Sequence, residues 1–311
     1  SLHDALPISQ FPAKLVLELR SLTRKYYDLT DERSAHINKL KGDLHTVFPQ
    51  YLDVFCDVTG KTSTMILRQY GTPDKILRGH KKTMIEKISK ASRKGLAKAS
   101  ERYEKLCAAA NAAKTFGCQI DSIYFNIFLT LDLVEKLDSA LDSILNRIRQ
   151  LITFNKNEKF IQQIKLLNTI PGVGFLTAVT IMCEIGDFSA FRNPKQLFAY
   201  FGLDPEVNES GKFVGTQLHM SKRGSRIARR AIFAVALASI RTKRNGEGIN
   251  PYLRKYYELK SGQKPKMVAI GAVMHKVCNI VFAVLRDEKA FELRSPEEHC
   301  KQYQRPALAA A

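Results

Sequence analysis

The feature that most restricts the fold of this sequence is an apolar pattern with a seven-residue repeat between residues 120 and 152. One series reads Ile, Ile, Val, Leu, Ile from position 120, and a second reads Ile, Thr, Leu, Ile, Leu from position 123. Two such series lie on one side of an α-helix. They predict one helix of about 50 Å, since each residue adds about 1.5 Å. It could pair with the N-terminal helix of the same chain, with a partner copy, or inside an ordinary bundle.

Helical spacing extends over most of the remaining sequence. Apolar residues recur every three or four positions from Phe11 to Val47, and one basic helix is expected to run to about residue 113. The stretch 204–220 lacks periodicity, which predicts a loop or a short strand. The fold class is therefore mainly α, with a long coiled-coil or helical-hairpin segment followed by a compact helical domain. In that domain helices are expected on both sides of a turn within 166–186, and at about 222–244, 249–260 and 265–286.

Local signals mark the beginnings of several helices. Thr72 and Asn193 are suitable N-caps, because each is followed by a proline, which fits the first helical position. Ser221 is the predicted N-cap of the helix that begins near residue 222. These signals divide the sequence into four ranges. Residues 1–10 resemble translated adaptor sequence, and residues 11–155 form a helical region with a basic insertion at about 55–115. Residues 156–290 form the compact domain, and residues 291–311 are a tail.

The net charge of +19 indicates a polyanionic partner. Residues 212–266 hold fourteen basic residues against two acidic ones, and residues 75–105 hold eleven against three. Two basic blocks on an otherwise balanced chain favour nucleic acid, although solvated lysine-rich helix faces would explain the second block equally well. The six cysteines lack paired spacing, so we expect neither a disulfide framework nor a zinc site. We expect a cytoplasmic, nucleoid-associated protein with no membrane partner.

A glycine-rich turn in "IPGVGFLTA" (170–178) is the first candidate binding motif. Gly172 and Gly174 flank Val173, so the backbone can turn sharply and present N–H groups to a phosphate at a helix N-terminus. The pattern resembles the helix-hairpin-helix motif of sequence-independent DNA-binding proteins. A purely structural turn is the alternative.

The stretch "HMSKRGSRIARRAIFAVALASIRTKR" (219–244) is the second candidate. Ile227, Ala231, Ala234 and either Leu237 or Ala238 predict its apolar stripe. Guanidinium groups suit phosphate oxygens, and cations near a helix N-terminus oppose the helix dipole unless an anion is bound. The DNA-binding residues predicted in and before this helix are Lys212, Lys222, Arg223, Arg226, Arg229 and Arg230.

Ser210, in "NESGKFVG" (208–215), is the candidate nucleophile. A serine hydroxyl attacks poorly unless a base or a dense cationic site assists it, and this serine precedes the arginine-rich helix. The same composition is typical of an ordinary turn, which the residues by themselves favour.

The order of these motifs from Leu166 to Leu285 resembles the C-terminal domain of the IS110/IS1111 insertion-sequence transposases. "LRSLTRKYYDLTDERSAHINKLKGDLH" (19–45) is similar to the helix after that family's first domain. The resemblance implies a DNA recombinase whose serine, falling on Ser210, forms a covalent link to DNA. It also implies a homo-oligomer, a non-coding bridge RNA, and an N-terminal RuvC-like domain with four carboxylates for Mg²⁺.

The sequence departs from that family pattern before Phe11, where the RuvC-like domain is expected but not found. Asp28 and Asp31 imitate the family's last carboxylate pair, but they lie inside the following helix and are rejected as metal ligands. We therefore expect a 5′-truncated transposase with no Mg²⁺ site of its own, inactive alone. The alternatives are a non-catalytic nucleic-acid-binding module and a structural coiled-coil protein.

Overall fold

The computed structural model describes residues 13–116, 118–205, 209–210, 213–214, 220–295 and 297–298. This part of the chain is mainly α-helical, as the periodicity predicts, with one 3-10 helix (Phe188–Ala190) and two strands, β1 (Glu209–Ser210) and β2 (Phe213–Val214). The α-helices are α1 (Lys14–Val47), α2 (Tyr51–Val54), α3 (Lys61–Gln69), α4 (Pro73–Arg78), α5 (Lys81–Ser92), α6 (Leu96–Phe116), α7 (Asp121–Phe154), α8 (Lys159–Leu167), α9 (Phe175–Ile185), α10 (Pro194–Tyr200), α11 (Arg226–Ser239), α12 (Pro251–Ser261) and α13 (Lys266–Asp287).

The predicted helix beginnings are confirmed at two positions. The Thr72 side chain accepts a hydrogen bond from the Lys75 backbone N–H, and the Asn193 side chain accepts one from that of Gln196. In both helices the next residue is a proline at the first helical position, where the missing N–H costs no hydrogen bond.

The single basic helix predicted to reach residue 113 is wrong, because the structure divides it into α5 and α6. The last backbone hydrogen bond of α5 runs from the Arg93 N–H to the Ser89 carbonyl. Arg93 and Gly95 then adopt left-handed conformations, with φ of 56° and 79°. A left-handed residue ends the helical hydrogen-bond ladder, and the chain reverses into a helical hairpin.

The chain forms two compact units, one of residues 26–144 and one of residues 1–25 with 145–311. The unit of residues 26–144 has its own core, in which the rings of Phe48, Tyr51 and Phe55 pack against one another at tilted angles. The Tyr51 hydroxyl is buried and hydrogen-bonded to Ser63. The predicted domain ranges 11–155 and 156–290 stay predictions.

Within the unit of residues 26–144, α7 pairs with α1 of the same chain. The Arg33 guanidinium binds the Asp138 carboxylate, and the Tyr124 hydroxyl donates to the Val47 carbonyl at 3.3 Å. Val134, from the first heptad series, is 2% exposed. The same-chain partner of the long helix is therefore present, and pairing with a second copy stays a prediction.

The unit of residues 1–25 and 145–311 is built around α13. This helix packs against α8, α10, α11 and α12. It is the one helix in the described residues that is long and apolar enough to cross a membrane, and 56% of its apolar window is buried within the protein. Cys183 and Cys278 are fully buried here, and the cysteines in the described ranges are free thiols.

Candidate functional site

The loop that carries Ser210 leaves its domain and returns to it at one place. Pro205 and Met220 form an antiparallel bridge. Next to this bridge, Ser221 donates two hydrogen bonds to Asp204, from its backbone N–H to the carbonyl at 2.8 Å and from its hydroxyl to Oδ1 at 2.6 Å. The two ends of the loop are therefore held together by three contacts.

Within this loop, the backbone of Ser210 belongs to a short hairpin. β1 and β2 are antiparallel, and Ser210 is paired with Phe213. This agrees with the loop or short strand expected between 204 and 220. Lys212 and Gly211, between the strands, lie outside the described residues, so the position of the Lys212 cation stays a prediction.

The segment that precedes α11 lies directly against the end of α10. A Cβ atom added to Gly224 would lie 2.0 Å from the Tyr200 carbonyl oxygen, and one added to Gly202 would lie 2.4 Å from the Gly224 nitrogen. Both distances are far below van der Waals contact, so only glycine allows this approach. The Arg229 Nη1 group donates to the carbonyls of Phe201 and Gly224, at 3.2 and 2.6 Å. Arg229 therefore stabilises the base of the loop, and its predicted contact with DNA is untested.

The predicted N-cap Ser221 is wrong. The Ser225 hydroxyl caps α11 by accepting the Ala228 N–H at 3.2 Å. Lys222 has a φ of 55°, in the left-handed region, so the helix cannot begin at that residue, and the chain bends again at Gly224. Lys222 and Arg223 consequently precede the helix, and Arg226 is its first residue. The predicted helix end near residue 244 is also wrong, since α11 ends at Ser239.

The apolar stripe predicted for α11 is displaced by one residue. Ala234 is exposed and Ile227 only partly buried, whereas Ala231 is buried as expected. The run "AIFAVALA" is apolar on every side, so periodicity cannot choose a register, and packing against α9 and α13 decides it. The buried residues of the helix are Ala228, Ala231, Ile232, Val235, Ala236 and Ser239.

Three of the predicted DNA-binding cations are exposed at the beginning of α11. They are Lys222, Arg223 and Arg226, and no acidic residue occupies the first turn. Their charge adds to the positive end of the helix dipole, which makes this end of α11 a favourable place for a phosphate. Arg230, one turn further on, is half-buried.

The glycine turn joins α8 to α9 as the motif predicts. Gly172 is left-handed at φ +96°, and the exposed Gly174 is the N-cap of α9. The Val173 side chain is 6% exposed and belongs to the core, so only its backbone could contact DNA. The turn packs on the last residue of α11, where the Ser239 hydroxyl donates to the Pro171 carbonyl at 3.0 Å.

We expect Gly172→Ala to destabilise the protein and Gly174→Ala to be nearly neutral. A Cβ atom at Gly172 would lie 2.5 Å from the Ser239 hydroxyl oxygen, and the positive φ adds strain, whereas one at Gly174 has open space. The expected loss of unfolding free energy is about 1–3 kcal/mol for Gly172→Ala and a few tenths for Gly174→Ala. Urea denaturation of both variants checks this. Equal losses would contradict the contact with Ser239.

The structure does not bring the two predicted DNA contacts to one place. The glycine turn lies at the C-terminal end of α11, beside Ser239, and the cations lie at its N-terminal end. Thirteen residues separate Ser239 from Arg226, so the two surfaces are about 20 Å apart along the helix axis. The Ser210 loop returns to the domain at the N-terminal end, so the serine hairpin is linked to the cations rather than to the glycine turn.

A buried carboxylate next to α11 is the residue that sequence reasoning missed. Glu184 is 3% exposed, near the end of α9, and receives two hydrogen bonds of 2.9 Å from the Arg24 guanidinium. The Arg20 Nε donates to the Cys183 carbonyl at 2.6 Å, next to this pair. The sequence does contain a signal for this residue, a single acid within the apolar helix "FLTAVTIMCEI". Because an acidic residue is rarely buried without a partner, this pattern predicts that Glu184 is paired with a basic residue.

The pKa of Glu184 lies below its usual range. Burial raises it, but hydrogen bonds from Arg24 and from the Ser225 side chain, together with the charges of Arg24 and Arg20, lower it by more. The carboxylate is thus ionised at neutral pH and bonded both to α1 and to the N-cap of α11. Glu184 fixes the end of α11 that carries the exposed cations.

No group of three or more His, Cys, Asp or Glu side chains in the described ranges could hold a metal ion. Asp28 and Asp31 lie within α1, as expected from the sequence. The side chains in the described ranges do not fit the four-carboxylate Mg²⁺ site that the family resemblance implies.

Known proteins resemble the chain over most of its length. An insertion element IS110 protein of 43.6 kDa from Streptomyces coelicolor is 23% identical over 91% of this chain and 66% of its own length. The pilin gene-inverting protein of Moraxella bovis is 30% identical over 57% of this chain and 52% of its own length. The transposase for insertion sequence element IS1111A of Coxiella burnetii is 26% identical over 58% of this chain and 50% of its own length.

Residues 164–258 match the transposase IS116/IS110/IS902 family. This stretch of the chain is therefore similar to that family. Every predicted site residue, from Gly172 to Arg230, lies inside the match with this transposase family. The chain spans half to two thirds of the length of these three relatives.

Proposed function

We propose that this chain acts in insertion-sequence transposition, cutting and rejoining DNA through a covalent link to Ser210. The observation that carries the proposal is the transposase-family match across 164–258, which encloses the Ser210 hairpin and the cations that follow it. The closed base of the loop and the exposed Lys222, Arg223 and Arg226 support it, because a serine needs a cationic surrounding to attack a phosphodiester.

The proposed chemistry is a reversible transesterification. The Ser210 hydroxyl oxygen attacks a DNA phosphorus and loses its proton to a base, while the bond from phosphorus to one deoxyribose oxygen breaks and that oxygen takes up a proton. Attack by a deoxyribose hydroxyl of another DNA end then releases the serine. One phosphate ester replaces another at each step, so rejoining needs no oxidant and no energy source. Cations near the phosphate stabilise the charge that develops in the transition state.

The partners belong to the same proposal. DNA is the substrate, a non-coding guide RNA selects the sites, and copies of the chain associate through the long helices. The +19 net charge supports contacts with both nucleic acids. The divalent metal ion that the family suggests would be bound by residues other than those that the structure describes. A cytoplasmic location is part of the proposal.

The experiment is an excision assay in bacterial cells. A plasmid carries the gene with its flanking DNA, and PCR across the joined ends detects excision of the element. Joined ends that require an intact reading frame support the proposal. If the purified protein binds DNA but neither junctions nor protein–DNA adducts form even when a RuvC-like domain of the family is supplied, the chain is a non-catalytic nucleic-acid-binding module instead.

A further inference from the structure

The α5–α6 hairpin (residues 81–116) carries the second basic block and is not used by the proposed chemistry. Its tip, residues 93–98, is exposed at every position. From residue 81 to residue 105 the hairpin holds nine lysines and arginines against three glutamates. The first turn of α6 contains no acidic residue, so nothing there compensates the charge of the tip.

A cleft of about 170 Å³ lies beside this tip, between the end of α2, the end of α5 and α6. Its cations are Lys94, Lys98, Arg102 and Lys105. Lys105 binds Glu101 at 2.7 Å, so these two charges largely cancel. The Asp53 carboxylate is the other acid of the cleft, which leaves three cations against one acid.

Arg102 is held in place by an aromatic ring rather than by an acid. Its guanidinium carbon lies 5.6 Å from the centre of the Phe55 ring, and the side chain is half-buried. A guanidinium stacked on a ring keeps its N–H donors available and loses little entropy when it binds an oxyanion. If this block were only a solvated lysine-rich helix face, its cations would point freely into water. Arg102 instead packs against the Phe55 ring.

We propose that this cleft and the hairpin tip bind the phosphate backbone of duplex DNA, as a second contact distinct from the cations at the start of α11. The inference rests on the proposed function for its partner. A duplex fits better than a single strand, because the stretch "KASRKGLAK" (90–98) contains no aromatic residue on which unpaired bases could stack. Backbone contacts of this kind position DNA without reading its sequence.

The test is the DNA affinity of the full chain after Arg93, Lys94 and Lys98, all within the tip, are changed to Gln. All three are exposed, so the fold should be retained, which circular dichroism and thermal melting verify. We expect affinity for a labelled DNA duplex of arbitrary sequence to fall by about tenfold or more at low salt. The slope of log affinity against log salt should shrink by nearly 3, since each phosphate contact contributes about 0.9.

The matched control removes three exposed lysines elsewhere in the same unit, Lys39, Lys41 and Lys136, also by change to Gln. Its net charge equals that of the hairpin variant, so it should lose less than about threefold in affinity if the effect is local. Equal losses in the two variants would overturn the inference and leave the proposed function intact.

Two further outcomes separate the inference from the proposed function. A parent chain that fails to bind any DNA duplex would overturn both. A hairpin variant that loses affinity only for an RNA duplex of the same length would overturn the assignment of this surface to DNA, while the Ser210 proposal would stand. A selective loss of DNA affinity supports the inference.

Discussion

Replacing Ser210 by Ala, in the chain joined to the RuvC-like domain that the family implies, is expected to abolish DNA excision while leaving DNA binding unchanged. Removal of the attacking oxygen eliminates the covalent step, so the rate should fall on the order of 10³-fold or more, below detection in the junction assay. The substitution removes one hydroxyl and no charge. The affinity for DNA should therefore stay within about twofold, because charged contacts with phosphate dominate it.

A direct measurement of the Ser210 prediction is the covalent adduct itself. Labelled DNA that stays with the denatured protein after gel electrophoresis marks the link, and Ser210→Ala should lose it. Ser261→Ala is the matched control, since that serine lies at the end of α12 and its hydroxyl donates to the Glu258 carbonyl of the same helix. Excision by Ser210→Ala at the parent rate would show that Ser210 is a turn residue.

The second large effect concerns the Arg24–Glu184 pair and is expected to be asymmetric. The Arg24 side chain is 52% exposed, whereas that of Glu184 is 2% exposed. Arg24→Met leaves a buried carboxylate without its main partner, which should lower the free energy of unfolding by about 3 kcal/mol. Glu184→Gln should cost less, about 1–2 kcal/mol, because the arginine can turn towards water and the amide can still bond to Ser225.

A double-mutant cycle measured by urea unfolding at pH 7 tests this asymmetry. The double variant Arg24→Met/Glu184→Gln should be more stable than Arg24→Met alone, because the unpaired charge is gone. A Glu184→Gln variant that loses as much stability as Arg24→Met would contradict the idea that the buried charge dominates.

The pH dependence of the same pair has a definite sign. In the parent, the lowered pKa of Glu184 contributes stability above the ordinary glutamate pKa of about 4.3, and that contribution is lost as pH falls below it. In Arg24→Met we expect burial, the largest single influence on this pKa, to outweigh the Ser225 hydrogen bond and the Arg20 charge and to raise the pKa above the unfolded value. The folded state then takes up a proton more readily, so the stability deficit of the variant should shrink as pH falls from 7 to about 5.

The order and type of the elements could largely be predicted from the sequence. The heptad repeat fixed α7, and the Thr72–Pro73 and Asn193–Pro194 pairs fixed the beginnings of α4 and α10. These signals are local, because the residues that create them lie within one or two turns of each other. Where the local signal was ambiguous, the predicted position differs from the observed one. The N-cap of α11 is Ser225 rather than Ser221, and the buried face of α11 is displaced by one residue.

The candidate site was only half predictable. Its residue types, a serine in a short loop before an arginine-rich helix, are visible in the chain itself. The structure then assigned different tasks to neighbouring arginines, since Arg229 binds two carbonyls while Arg226 is exposed at the first turn. Two residues that are three apart on a helix face different surroundings, and only those surroundings separate a structural role from a binding one.

By itself, the sequence determined a basic, mainly α-helical chain, its long helices, its glycine turn and the family order of its motifs, because periodicity, charge and turn chemistry depend on near neighbours. Only the tertiary structure decided which face of α11 is buried, that the glycine turn and the exposed cations lie at opposite ends of that helix, and that Arg24 meets Glu184 across 160 residues. Such contacts follow from packing between distant segments, which no local pattern records.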